Sequence, residues 1–234
     1  MKATVAEKRE VAKGTLLVRF AVDSYPAYRP GSYFWVELPD RGYQDEKGLR
    51  RHISLVTSPT EAGVVGLATR LRDSAFKRTL AELELGDEVE VEEPKGSFLL
   101  PEDTTVDYVF IAGGIGITVF RSMLRYIADE ELPYRVTLVY SNRDRESTAF
   151  LDELTELERT IPGLRLVLTM TDDEGWDEES RRVDPTMLRD HLDDLAGFDY
   201  LVAGPPAMTE AVVESLEGAG VPEDRILAGK FSGY

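Results

Sequence analysis

Tyr108-Val109-Phe110-Ile111-Ala112 runs without a break into Gly113-Gly114-Ile115-Gly116-Ile117-Thr118, and this stretch decides the fold. Five apolar residues in an unbroken run read as a strand covered on both faces, which belongs in a parallel sheet. Beyond the glycines, Phe120, Met123, Leu124 and Ile127 fall at i, i+3, i+4 and i+7, one face of a helix. The same alternation continues downstream. Val136–Tyr140, Leu164–Thr169, Tyr200–Ala203 and Ile226–Ala228 are further short apolar runs. The stripes Leu151, Leu154, Leu157 and Met208, Val212, Leu216 lie between them. Strands alternating with helices predict a doubly wound α/β unit with a parallel five-stranded sheet.

Upstream the periodicity is different. Segments near 3–10, 14–22, 33–38, 52–57, 63–71 and 87–93 are rich in β-branched and aromatic residues. Turn residues such as Lys13-Gly14, Arg29-Pro30-Gly31, Glu61-Ala62-Gly63 and Gly86-Asp87 separate them. One helix interrupts, from Ser74 to Leu83, with Phe76, Leu80 and Leu83 on one face. Six strands at this spacing predict a small six-stranded antiparallel β-barrel. Two domains are expected, residues 1–101 and 102–234, with the linker at Leu100-Pro101-Glu102-Asp103.

The composition narrows the chemistry. The 234 residues include no cysteine, which excludes disulfides, thiolate nucleophiles and Cys-ligated metal clusters within the sequence. His52 and His191 are the two histidines, too few for a His-rich metal site, so no metal is expected. Forty-four acidic against 27 basic side chains give a net charge of −17, which argues against nucleic acid and anionic membrane as partners. No apolar run approaches the roughly 18 residues that span a bilayer, and the first residues hold no signal-peptide core, so a cytoplasmic protein is expected. The charge is uneven: residues 1–103 sum to −3 and residues 104–234 to −14. Excess carboxylate suits a halophilic source, where salt screens it; GC-rich coding bias, which favours Arg over Lys, is the competing explanation.

In a doubly wound sheet, ligands bind beyond the C-terminal ends of the strands, where the strand order reverses. Two such ends carry glycine: Gly113–Thr118 and Gly204-Pro205-Pro206-Ala207-Met208, each leading into a helix. A tight strand-to-helix turn calls for glycine with or without a ligand, but two such turns facing one crevice suit a dinucleotide. Ser141-Asn142-Arg143-Asp144-Arg145 follows Leu138–Tyr140, where the adenosine ribose is read. Arg143 and Arg145 suit a 2′-phosphate, whereas Asn142 or Asp144 suits a free 2′-hydroxyl. In the first half, Arg70–Lys77 puts cations at a helix start, a second anion-binding pattern. Each of these segments also reads as solvated polar surface.

These motifs, taken in order, resemble the ferredoxin–NADP(+) reductase superfamily, whose members join an FAD-binding barrel to an NAD(P)-binding domain. The resemblance covers nearly the whole chain. Pro30-Gly31-Ser32-Tyr33 resembles the segment leading into the flavin barrel, and Arg51-His52-Ile53-Ser54 the flavin-binding Arg-x-Tyr-Ser/Thr. Thr69–Lys77, with Leu80 and Leu85-Gly86-Asp87, is similar to the pyrophosphate-binding helix region, and Lys95-Gly96-Ser97-Phe98 to the segment closing the barrel. Gly113–Thr118 resembles the Gly-Gly-x-Gly-x-Thr-Pro loop, and Gly204–Met208 the Gly-Pro-x-x-Met motif. Val119 replaces the loop's Pro, Ile53 the flavin motif's Tyr, and Ala203 a Cys common before Gly-Pro.

The resemblance implies roles. Arg51 would bind the FAD pyrophosphate and Ser54 the flavin ring, with His52 and Ile53 beside it. Backbone amides at Ala75, Phe76 and Lys77 would hold the pyrophosphate, and Thr69, Arg70 and Leu71 would line the cofactor. Gly113, Gly114, Gly116 and Thr118, with Gly204, Pro205, Pro206 and Met208, would cradle NADPH or NADH. Ser141, Asn142 and Arg143 would read its ribose, and Arg143 beside Ser141 favours NADPH. Phe231 and Tyr234 would cover the flavin, with Ser54, Thr118 and Tyr234 closest to the chemistry. Hydride transfer to a flavin is placement more than acid–base work, in keeping with a sequence that shows no catalytic triad or carboxylate pair. The expected activity is an FAD-dependent NAD(P)H:acceptor reductase, monomeric, that passes electrons to a separate acceptor such as a ferredoxin. Arg29, Arg41, Arg50 and Arg72 would form a local basic rim for that acceptor. The alternatives are an electron-transfer flavin subunit of a larger complex and a non-catalytic nucleotide sensor.

Overall fold

A computed structural model describes residues 1–229. The first half forms β1 (Lys2–Ala12), β2 (Thr15–Ala21), β3 (Tyr33–Glu37), β4 (Arg50–Ser54), β5 (Val64–Arg70), the helix α1 (Ala75–Glu82) and β6 (Glu88–Val91). The strands pair antiparallel in the order β4-β3-β6-β1-β2-β5. Alternation fixes the inner face: Phe34 and Val36 of β3, Val18 and Phe20 of β2 and Leu67 of β5 are buried together. Helix α1 closes over them through Phe76 and Leu80. The sheet is barrel-like but open, because its end strands β4 and β5 form no ladder with each other.

The expected strand 52–57 lies instead at Arg50–Ser54. Leu55 and Val56 are fully buried where the two ends of the sheet approach, so the chain leaves β4 to fill that seam. Their amides donate to the Ser32 carbonyl (2.9 Å) and the Gly66 carbonyl (2.9 Å), which keeps the buried backbone satisfied.

The second half forms β7 (Asp107–Gly113), α2 (Ile117–Asp129), β8 (Arg135–Asn142), α3 (Leu151–Thr160) and β9 (Leu164–Met170). It continues with α4 (Pro185–Arg189), β10 (Asp199–Ala203), α5 (Pro206–Gly218) and β11 (Ile226–Ala228). All pairs are parallel, in the order β11-β10-β7-β8-β9. The chain starts in the middle at β7, moves outward through β8 and β9, then crosses back to β10. The strand order therefore reverses between β7 and β10, the place where a doubly wound sheet opens a crevice. The short helix α4, whose Asp184 cap accepts from the Met187 amide at 2.8 Å, carried no helical stripe in the sequence.

The two sheets share a core. Leu17, Val56, Ala68 and Phe98 of the first half pack with Phe110, Phe120 and Met123 of the second. Phe98 meets Phe120 edge-on (centroids 5.9 Å), and Phe120 stacks on Phe110 at 4.9 Å. A polar clamp lies beside this packing. Arg121 of α2 donates to the Val56 carbonyl (2.7 Å) and pairs with Glu61 (2.8 Å) and Glu153 (2.8 Å). Ser122 Oγ donates to the Thr57 carbonyl (2.7 Å). Burial pushes the Glu61 carboxyl up, but Arg121 outweighs it and holds Glu61 below its ordinary value.

Candidate functional site

A cavity of about 610 Å³ opens between the two sheets. Its first wall is aromatic. Because Phe34 turns into the core, its neighbours Tyr33 and Trp35 face the cavity, opposite Ser54 and His52 of β4. The His52 ring meets Trp35 at 5.0 Å and Tyr33 at 5.7 Å, both edge-on, and the Arg50 guanidinium lies 4.6 Å over Trp35. Ile53 also lines the cavity, and the aromatic rings of this wall are those of Tyr33, Trp35 and His52.

A second wall is cationic. Arg70 at the end of β5, Arg72 just after it and Lys77 on α1 all line the cavity, as does Thr69. Among the described residues, none of the three cations has an ion-pair partner. Burial pushes the Lys77 amine down, and the charges of Arg72 and Arg51 push it further. Three uncompensated cations around one cavity form a site that an anion would stabilise.

The start of α1 is less open than the sequence implies. Ser74 caps it, its Oγ accepting from the Lys77 amide (3.2 Å), and Asp45 from the β3–β4 loop accepts from the Ala75 amide (2.7 Å). Two of the three amides expected to hold a pyrophosphate are therefore engaged by the chain's own side chains. Arg51 is engaged too. Its Nη1 donates to the Lys47, Gly48 and Arg50 carbonyls (2.6, 2.9 and 2.8 Å), and its guanidinium sits 5.4 Å over Phe76. Arg51, Leu71, Ala75 and Phe76 lie outside the cavity lining, while Lys77 lies on it.

The third wall comes from the second half: Ile115, Gly116 and Thr118 at the turn after β7, and Leu227, Ala228 and Gly229 at the end of β11. Thr118 is buried and its Oγ1 donates to the Ile115 carbonyl (3.1 Å). The glycines of this turn have structural reasons. A Cβ on Gly113 would stand 2.1 Å from Met208 Sδ, and one on Gly116 would stand 2.3 Å from the Ala203 carbonyl oxygen. Gly114, at φ +52°, lies against Arg70. The absence of side chains at Gly113 and Gly116 lets this turn nest against Gly204, Pro205 and Met208, so the two motifs meet at the switch point. Pro206 opens α5 beside them. Gly113, Gly114 and the Gly204–Met208 turn brace the cavity rather than line it.

The ribose-reading residues lie farther out. Asn142 ends β8, is buried, and has no hydrogen-bond partner on either side-chain polar atom among the described residues. Ser141 pairs in register with Gly113. Arg143, expected to favour NADPH, is paired with Asp172 at 3.0 Å. Arg145 pairs with Asp173 at 3.2 Å and lies 5.8 Å over Trp176. The expected basic rim is also largely neutralised: Arg29 pairs with Glu102 (3.0 Å), Arg41 with Asp87 (2.6 Å) and Arg50 with Glu92, which leaves Arg72. Phe231 and Tyr234 lie outside the described residues. Among those residues, no cluster of His, Asp and Glu suits a metal, and no helix is long and apolar enough to cross a membrane.

Sequence reasoning missed Tyr33, Trp35 and Leu227–Gly229 as cavity residues. Alternation in Tyr33-Phe34-Trp35 was a usable signal for the first two. Nothing local marks Leu227–Gly229, which reach the cavity only because β11 pairs beside β10.

Residues 110–214 match the oxidoreductase NAD-binding domain. The chain is 27% identical over 216 residues to the reductase component of propane 2-monooxygenase from Rhodococcus jostii, covering 88% of this chain and 56% of that protein. The chain thus spans little more than half the length of the curated relatives it matches. The FAD/NAD-binding domain of a nitric oxide dioxygenase from Vibrio cholerae superposes with a TM-score of 0.86 at 20% identity, over 98% of both chains. An Amycolatopsis cytochrome P450 reductase superposes at 0.83 with 25% identity, over 99% of this chain and 70% of its own. The chain has the two-domain fold of ferredoxin–NADP(+) reductase-like proteins, and residues 110–214 within its second half match the oxidoreductase NAD-binding domain.

Proposed function

We propose that this protein is an FAD-dependent NAD(P)H:acceptor reductase. Residues 1–101 hold FAD and residues 102–234 hold the nicotinamide nucleotide. The observation that carries this reading is the cavity at the seam, to which both sheets contribute and which faces three cations with no carboxylate partner among the described residues. A diphosphate supplies the charge those cations lack, the aromatic wall of Tyr33, Trp35 and His52 suits a planar ring, and the nested glycine turns bring backbone close to the crevice. When bound, a flavin accepts a hydride and releases electrons singly or in pairs.

The chain's own part is placement. Ser54, on β4, and Thr118, at the start of α2, present hydroxyls from opposite sheets into one cavity. The bond from Thr118 to the Ile115 carbonyl fixes the direction of its hydroxyl. The Gly113–Gly116 and Gly204–Met208 turns hold the nicotinamide end at the switch point, while Arg70, Arg72 and Lys77 bind phosphate. Arg51 acts one step back, ordering the β3–β4 loop and, through its pair with Asp45 (3.7 Å), the start of α1. Phe231 and Tyr234 cover the flavin in this reading.

The relatives named as reductase components of a monooxygenase and a dioxygenase support a separate electron acceptor. A ferredoxin docking on Arg29, Arg41 and Arg50 is disfavoured, because those arginines are paired. A visible spectrum of the purified protein, followed by anaerobic addition of NADH or NADPH, tests the reading. Flavin absorption that the nucleotide bleaches is expected. A colourless protein that takes up no FAD on reconstitution overturns it. Bleaching without turnover on an artificial acceptor such as ferricyanide indicates the electron-transfer subunit instead.

A further inference from the structure

An ion pair between neighbouring strand ends bears on which nicotinamide nucleotide the groove takes. Strands β8 and β9 run side by side, and their last residues are in register, Asn142 opposite Met170. Beyond them the two loops stay joined: the Thr171 amide donates to the Asn142 carbonyl (3.0 Å) and the Asp172 amide to the Arg143 carbonyl (2.7 Å). The segment that would read the ribose is therefore lined on its outer side by Thr171-Asp172-Asp173-Glu174.

This neighbour changes the meaning of Arg143. Its Nη2 already donates to Asp172 Oδ2 at 3.0 Å. Arg145 is held more firmly. Asp173 accepts from the Arg145 amide (3.1 Å) and side chain (3.2 Å), and Arg145 Nη2 also donates to the Gly175 carbonyl (3.2 Å). The backbone bond from Arg145, followed by the Arg145 side chain and the Gly175 amide, keeps the Asp173 carboxyl below its usual value and so ionised at neutral pH. Asp144, Glu146 and Glu174 border the same hollow as Asp172, Asp173 and Arg145, and of these carboxylates Glu146 is paired with Lys13 at 2.8 Å.

We infer that the groove selects NADH over NADPH, with Asp172 as the specificity-determining residue. The inference rests on the nucleotide reading of the groove. A 2′-phosphate carries about −1.5 to −2 charge near neutral pH and would need Arg143 or Arg145 as partner. To obtain either, it must displace a carboxylate and then lie among the others. A free 2′-hydroxyl needs no displacement and can donate to a carboxylate.

Isothermal titration of the flavin-loaded protein with NAD+ and NADP+ tests this without turnover. The wild type is expected to bind NAD+ about tenfold or more tightly than NADP+, the worth of one charge-assisted hydrogen bond. Asp172→Ser, which leaves the Asp173 turn intact, frees Arg143 and shifts the ratio toward NADP+ by a similar factor. Adding Arg143→Ala to that variant abolishes the gain. Equal or inverted preference in the wild type, or an unchanged ratio in Asp172→Ser, overturns the inference while the groove remains a nucleotide site. Failure of both nucleotides to bind overturns the nucleotide reading and the inference with it.

Discussion

Two groups of cations in this molecule stand in opposite electrostatic states. At the seam, Arg70, Arg72 and Lys77 line a cavity without a carboxylate partner among the described residues, and Lys77 is pushed down by burial and by its cationic neighbours. At the outer end of the groove, Arg143 is pushed up by its hydrogen bond to Asp172 and by the charge of that carboxylate. An arginine advertises an anion site only when the protein has not already supplied the anion. The difference separates a place that demands phosphate from one that excludes it, although both read alike as basic motifs in the sequence.

Arg121 extends the comparison to a cation that is both paired and buried. Arg121→Ala leaves Glu153 without this partner and Glu61 with Arg19 alone (2.8 Å) at the joint between the sheets, at a cost of about 1.5–3 kcal/mol, read as a lowered Tm. Because the folded Glu61 pKa is depressed, its stabilisation is present above the unfolded value of roughly 4.3 and fades as pH falls through the folded value. The acid limb of the stability profile should therefore flatten in Arg121→Ala. A Tm within a degree or so of wild type would show that the joint does not depend on the pair.

Arg143→Ala should leave Tm unmoved, since exposed pairs contribute little. A clear loss of stability there would erase the distinction between the paired groups.

The smallest effect comes from the diffuse charge. With −14 concentrated in residues 104–234, rising salt should raise Tm as repulsion is screened. A flat or falling Tm would favour coding bias over a saline setting as the source of the acidity.

The pattern of what was legible follows from the range of the interactions. The run Tyr108–Ala112, the glycine turn and the stripe on α2 are local, and both sheets and the switch point followed from them. The pairing of Arg143 with Asp172 depends on β9 lying beside β8, and the engagement of the α1 amides depends on Asp45, thirty residues before Ala75. Neither leaves a local signature. The same holds for the seam, where Leu55 and Val56 leave β4 to fill the space between the sheet ends. The glycines were legible as motifs, but their contacts with Met208 and Ala203 required both turns in place.

The central claim is that the unpaired cations at the seam hold the diphosphate of FAD. Titration of the flavin-free protein with FAD, followed by fluorescence, tests it most directly. One FAD should bind per chain. The Arg72→Ala/Lys77→Ala double variant should bind about 100-fold or more weakly, each lost charge-assisted bond being worth about 1.5–3 kcal/mol, while Arg143→Ala binds as wild type. Undiminished FAD affinity in a double variant of unchanged Tm would contradict the account.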